Sequence, residues 1–264
     1  MGRPAGAGPS SRGKTGLPDR VDLQSEFGYK LTVSKMGMKS ALEVPFKHIA
    51  VEGVFRSKKT QLANVLAQRI GGKVVLDNVG NPYLKDFYNE KEGSAFLTQL
   101  VFMANRYNQQ IRLLQRDLFI DRIICDYLFE KDKIYAYQTL SDDELLVYEK
   151  IYGILADRVP KPDLVIYLQI SLASLSRRIA KEGDSIEKNI SEKYLEDIVE
   201  AFDYFFFNYL GAPLLVVKAD DIDFGREEDV LDLIDQLRDM KKGSLYYVPQ
   251  SYGGKGQKKG QDRG

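Results

Sequence analysis

The chain has 264 residues, 44% of them apolar and 29% charged, the proportions of an ordinary globular protein. Lys and Arg total 38 and Asp and Glu total 38, so the net charge is zero and no long-range field draws the protein toward nucleic acid or an anionic membrane. One cysteine, Cys125, excludes an internal disulfide framework and suits a reducing compartment, taken as the cytoplasm, and no apolar run approaches bilayer-crossing length.

Residues 1–45 open with a Gly, Pro, Ser and Arg-rich stretch that lacks the apolar core of a secretory signal and reads as a loosely ordered arm. A first strand is expected over Lys47–Val54, followed by a helix over Thr60–Ile70. Further strands are expected over Lys73–Val79, Arg122–Asp126, Asp163–Ile170 and Leu214–Ala219, each apolar nearly throughout, as strands covered on both faces are. Helical periodicity marks Ser94–Arg116, Ser141–Val159, Leu172–Gly183, Ser191–Leu210 and Glu227–Met240, with Ser141 and Glu144 spaced as a capping box. The pattern predicts an α/β domain over 46–242, a five-stranded parallel sheet with helices on both faces. Residues 243–264 read as a flexible tail in which Tyr246, Tyr247 and Tyr252 stand out.

Two segments fit a phosphate loop, in which glycine-rich backbone presents N–H groups to phosphate, a lysine reaches the terminal phosphates and a hydroxyl meets Mg²⁺. Gly8-Pro9-Ser10-Ser11-Arg12-Gly13-Lys14-Thr15 matches G-x-x-x-x-G-K-[ST] to the letter, but no strand leads in and Gly16-Leu17-Pro18 cannot open a helix. It is rejected. Gly53-Val54-Phe55-Arg56-Ser57-Lys58-Lys59-Thr60 has strand and helix on either side, yet carries Lys58 where a glycine is usual. On this octamer alone, a phosphate loop and an ordinary strand–turn–helix with solvated basic residues both stand.

Segments beyond the loop decide between them. Asp77-Asn78-Val79-Gly80-Asn81-Pro82-Tyr83-Leu84-Lys85-Asp86-Phe87-Tyr88 resembles the E-x-V-x-x-N-P-[FY]-L-x-x-F-Y segment of bacterial deoxynucleoside kinases. Ala95–Gln99 running on to Asn105-Arg106-Tyr107 is similar to that family's next helix, Cys125–Asp132 to its SDYLFEKD segment, and Pro160–Leu168 to its fourth strand. The resemblance spans about residues 46–225. It implies a P-loop kinase fold, an ATP and Mg²⁺ site at Gly53, Lys58, Lys59 and Thr60, with Thr60 on the metal, and a deoxynucleoside pocket. Within that pocket it implies Gln99 at the base edge, Asp126 reading purines, and Tyr88 and Glu187 holding the sugar 3′-hydroxyl. Arg106 lies two turns from Gln99 on one helix face and can converge with it. Asp77 matches the general base, and Lys59 and Arg178 match phosphate-handling positions. A homodimer through helices is also implied.

Four departures fall on the phosphate side. The family's G-x-x-G-x-G-K has become Gly53-Val54-Phe55-Arg56-Ser57-Lys58-Lys59, and a left-handed backbone at Lys58 would cost about 1 kcal/mol or more. Asp77 is one methylene shorter than the usual Glu. In R-x-x-x-R-G-R-x-x-E, Arg178, Gly183 and Glu187 match, but Glu182 and Asp184 replace two arginines of the triphosphate lid. Arg122, four before Asp126, either replaces an expected arginine or is strand-edge charge. Two readings follow. In the first, a nucleoside-binding or partner subunit has impaired transfer; in the second, an active kinase phosphorylates the 5′-hydroxyl of purine deoxynucleosides.

Overall fold

The computed structural model describes residues 42–114, 121–240 and 243–249; the octamer at 8–15, most of the expected arm and Tyr252 lie outside them. Strands β1 (His48–Glu52), β2 (Lys73–Val75), β3 (Ile123–Cys125), β4 (Leu164–Gln169), β5 (Leu214–Lys218) and β6 (Ser244–Tyr247) form one sheet in the order β2-β3-β1-β4-β5-β6. Every pairing is parallel, with helices on both faces, as expected of a P-loop kinase fold. The sheet has six strands rather than five. The sixth lies where a flexible tail was expected: Leu214–Val217 pair with Ser244–Tyr247, and Tyr247 is buried, with its hydroxyl 2.6 Å from Asp232. At the other end the ordered core begins before residue 46, since Val44 is buried.

Helices α1 (Lys59–Ile70), α2 (Leu84–Tyr88), α3 (Ser94–Leu114), α4 (Lys131–Thr139) and α5 (Asp142–Ala156) alternate with the first three strands or follow them. Helices α6 (Leu172–Glu182), α7 (Glu192–Phe207) and α8 (Glu227–Asp239) complete the set, with a 3₁₀ turn at Glu187–Asn189 before α7. Ser141 and Glu144 form the expected capping box of α5, and Ser171 and Ser191 cap α6 and α7 by accepting from Ser174 and Tyr194 N–H. The central strands are apolar throughout because both faces are covered: Ile49, Val51, Ile124 and Leu164–Leu168 are essentially without solvent exposure.

Two local features place the site at the carboxyl ends of β1, β2 and β3. Strand β2 stops at Val75, short of the expected Val79, and the following segment is tied to α3 by three side-chain amides. Gln109 donates to the Leu76 carbonyl, Asn105 to that of Gly80, and Asn81 to that of Thr98. Arg122 serves the opposite end of the sheet. Its guanidinium donates to the carbonyls of Val44, Phe46, Ile70 and Gly71, strapping the entry to β1 onto the end of α1.

Candidate active site

The turn from β1 to α1 is a closed loop. Gly53 is required by close approach, since a Cβ there would lie 2.6 Å from the Leu168 carbonyl oxygen. Lys59 Nζ folds over its own loop, donating to the carbonyls of Gly53 (2.7 Å) and Val54 (3.2 Å). Burial pushes the Lys59 ammonium down to about 8, and the Glu52 carboxylate 3.8 Å away counters this. The hydroxyl of Ser57, buried within the turn, has no partner among the described residues, an orphaned donor of the kind a phosphate oxygen satisfies. Arg56 (φ 62°) and Lys58 (φ 74°) both adopt the left-handed conformation, the strain the sequence raised for Lys58 and a second instance it did not raise. Lys58→Gly is expected to stabilise the fold by about 1 kcal/mol, seen as a higher urea midpoint at unchanged m-value.

A buried charge network joins this loop to the helices. Thr60 Oγ1 donates to Asp126 Oδ2, and Asp126 Oδ1 accepts from the Asp77 backbone N–H at 2.6 Å. The Asp77 side chain accepts from Arg106 through Nε and Nη2, both at 2.8 Å, and from Lys131 Nζ at 2.8 Å. Burial alone would raise the Asp77 carboxyl, but Lys131 and Arg106 together outweigh it and hold the group well below the usual carboxylate range. The remaining Arg106 nitrogen, Nη1, contacts Asp132, which is fully buried and is pushed up to about 6 by that burial despite the arginine.

Gln99 and Arg106 do share one face of α3, as the seven-residue spacing suggests. Gln99 meets Thr139 at the end of α4 and Arg106 meets Asp132 at its start, so the two helices run antiparallel across the pocket side. Asp126, expected to read purines, lies at the end of β3 against Thr60 and the backbone of Asp77. Its carboxylate beside a hydroxyl is a donor pair suited to a hard cation such as Mg²⁺. Phe129 packs on Tyr152 with ring centroids 5.3 Å apart.

On the lid side, Glu187 accepts from Arg56 through Nε at 3.1 Å to both oxygens and through Nη2. Tyr88 lies nearby: burial raises its phenol, and the charges of Glu187 and Asp184 raise it further. The Asp184 carboxylate is also engaged within its own segment, where its Oδ1 accepts from the N–H groups of Ile186 and Glu187. Arg178 is fixed on backbone, donating to the carbonyls of Arg56 (2.9 Å) and Ala219 (2.7 Å).

Sequence reading missed Glu52, Arg56, Lys131 and Asp132. Glu52 has no solvent exposure and ties β1 to the turn after β3, accepting from Gly53 N–H (2.8 Å) and Leu128 N–H (2.7 Å). A lone carboxylate at the end of an otherwise apolar strand was the available signal. Lys131 and Asp132 lie within the segment that carried the resemblance, but nothing in residue type alone assigns them partners.

A glycine-anchored turn between the first strand and first helix, closed by a lysine and a threonine and backed by carboxylates from the neighbouring strands, defines the P-loop kinase class of α/β folds. Comparison with known proteins specifies the class further. Residues 49–240 match the family model described as deoxynucleoside kinase. A deoxyguanosine kinase of Bacillus subtilis (strain 168) is 37% identical over 159 residues, covering 59% of this chain and 76% of that protein. A deoxyadenosine/deoxycytidine kinase of the same strain is 28% identical over 196 residues, covering 72% and 90%. Among solved structures, deoxyadenosine kinase from M. mycoides with bound dATP superposes with a TM-score of 0.61 at 23% identity, over 72% of this chain and 98% of that one. The chain belongs to the deoxynucleoside kinase family.

Proposed function

We propose that the protein is an active ATP-dependent kinase that phosphorylates the 5′-hydroxyl of purine deoxynucleosides. One observation carries this reading: an unbroken run of contacts from Thr60 through Asp126, Asp77 and Arg106 to Asp132, which links the phosphate loop to the face that also bears Gln99. The deoxyguanosine kinase 37% identical to this chain supports the purine preference, while the relative at 28% identity is named for one purine and one pyrimidine deoxynucleoside.

Each residue has a chemical task in this reading. Lys59 leaves its own loop carbonyls for the terminal phosphates, and the Ser57 hydroxyl and loop N–H groups supply further donors. Thr60 and Asp126 would hold Mg²⁺, which would supply neutralisation of phosphate charge there. Asp77, kept ionised, accepts the proton of the 5′-hydroxyl, with Arg106 and Lys131 orienting its carboxylate. Gln99 provides an amide for the base edge. The second oxygen of Asp132, buried without a donor among the described residues, is the acceptor a ring N–H would satisfy, so this carboxylate takes the base-reading task first given to Asp126. Tyr88 and Glu187 bind the sugar 3′-hydroxyl, and Arg178 steadies the loop through the Arg56 carbonyl.

The binding-subunit reading has one observation in its favour: two cations already engage Asp77, which lowers its appetite for a proton. An assay of purified protein with MgATP and each of the four deoxynucleosides separates the two. The kinase reading expects monophosphate from deoxyguanosine and deoxyadenosine at higher kcat/KM than from the pyrimidines, and loss of turnover by about a thousandfold in Lys59→Ala. Nucleoside binding without any monophosphate supports the subunit reading instead.

A further inference from the structure

The end of α6 and the segment after it bring three carboxylates, Glu182, Asp184 and Glu187, close enough to Arg56 to bias its charge. A triphosphate approaching the loop therefore meets negative charge on that side, and its compensating cations must come from elsewhere. Most nearby cations are already committed. Arg178 is anchored through both terminal nitrogens on backbone carbonyls, and Lys131 is held by Asp77.

Arg56 differs from both. It sits on the loop itself, its side chain is 31% exposed, and its side-chain hydrogen bonds run to one exchangeable partner, the carboxylate of Glu187. Its backbone is left-handed, where glycine would be free of strain. A strained residue kept at such a position points to a use for its side chain. A guanidinium is the group best matched to phosphate, since its planar fork donates two parallel hydrogen bonds to adjacent oxygens.

We infer that Arg56 is a phosphate-gripping cation of this loop, parked on Glu187 and transferred to the triphosphate when the sugar hydroxyl engages that carboxylate. This rests on the kinase reading for the sugar contact of Glu187. It makes the two substrates mutually reinforcing: a nucleoside that occupies Glu187 frees the guanidinium, and by reciprocity the triphosphate favours the nucleoside. The loop thereby supplies charge that the Glu182–Glu187 segment lacks.

The test is isothermal titration of the non-hydrolysable analogue AMPPNP with Mg²⁺ onto the full chain, with and without deoxyguanosine. It compares wild type, Arg56→Ala, Arg56→Lys and Glu187→Gln, with circular dichroism to confirm folding. Arg56→Ala is expected to weaken AMPPNP binding about tenfold or more, and Arg56→Lys to retain part of the affinity. Glu187→Gln is expected to tighten AMPPNP binding several-fold in the absence of nucleoside, because the guanidinium is no longer held, and to erase the enhancement by deoxyguanosine. Unchanged affinity in Arg56→Ala overturns the inference, as does a wild type that binds no AMPPNP. It is equally overturned if Glu187→Gln weakens binding alongside Arg56→Ala, the signature of a merely structural ion pair. Because the readout is binding, a wild type that grips AMPPNP through Arg56 yet makes no monophosphate refutes the kinase reading alone. A wild type that turns over while Arg56→Ala binds normally refutes this inference alone.

Discussion

Arg106→Leu is expected to lower the unfolding free energy by about 3–5 kcal/mol, the range for removing one partner from a buried ion cluster. Arg106 is 4% exposed and serves two carboxylates at once, Asp77 and Asp132. Asp77 keeps Lys131 when the arginine is gone, but Asp132, wholly buried, loses the cation that contacts it. The deficit has a defined pH dependence. Arg106 favours the ionised form of both acids, so its removal raises both. The deficit is largest in alkaline solution, shrinks as pH falls from the variant's raised Asp132 value to about 6, where the wild-type Asp132 also takes up its proton, and shrinks further as Asp77 follows at lower pH. Urea unfolding at pH 7 and pH 5 checks both statements, and Arg106→Leu with Asp132→Leu should recover much of the loss. A single-variant loss under about 1 kcal/mol would show that the network is not holding these helices together.

The second large effect is on turnover. Asp77→Asn preserves shape and one acceptor oxygen but removes the carboxylate that the kinase reading assigns to the 5′-hydroxyl proton. Loss of a general base costs about 10²–10⁴-fold, and the loss is expected in kcat with KM for ATP little changed, since the Asp77 side chain is held by Arg106 and Lys131 and makes no hydrogen bond to the loop that the kinase reading assigns to phosphate. Steady-state kinetics at saturating deoxyguanosine measures it. A fall smaller than about tenfold would place the base elsewhere, with the neighbouring carboxylate Asp126 the next to examine.

Much of this architecture was legible because its strands are covered on both faces, which leaves Ile49–Val51, Leu164–Leu168 and Leu214–Val217 apolar without alternation. Of the elements that were not, α4 and β6 escaped for opposite reasons. Helix α4 hides its period because its buried residues include Lys131 and Asp132, charges kept inside by the ion network, and a hydrophobic pattern cannot anticipate a buried lysine. Strand β6 is an edge strand with Tyr247 alone buried of its four residues, so Ser244–Tyr246 look like an exposed tail.

The site divides similarly. The loop, and the shared face of Gln99 and Arg106, follow from spacing, which a helix converts directly into geometry. Partner choice does not follow from spacing: Asp126 turned to Thr60, Arg122 to four carbonyls, and Asp184 to backbone N–H groups of its own segment. The charge reversals at Glu182 and Asp184 read in sequence as lost phosphate contacts. In three dimensions Asp184 is occupied locally, and a cation on the loop, Arg56, faces the acidic segment.

A single-turnover experiment with ATP labelled at its terminal phosphorus, deoxyguanosine and excess protein poses the question most directly. Label appearing in deoxyguanosine monophosphate with wild type, and remaining in ATP with Lys59→Ala, is the expected result. Label that stays in ATP with both proteins, or moves only to inorganic phosphate, would contradict the assignment of this loop and its charge network to phosphoryl transfer.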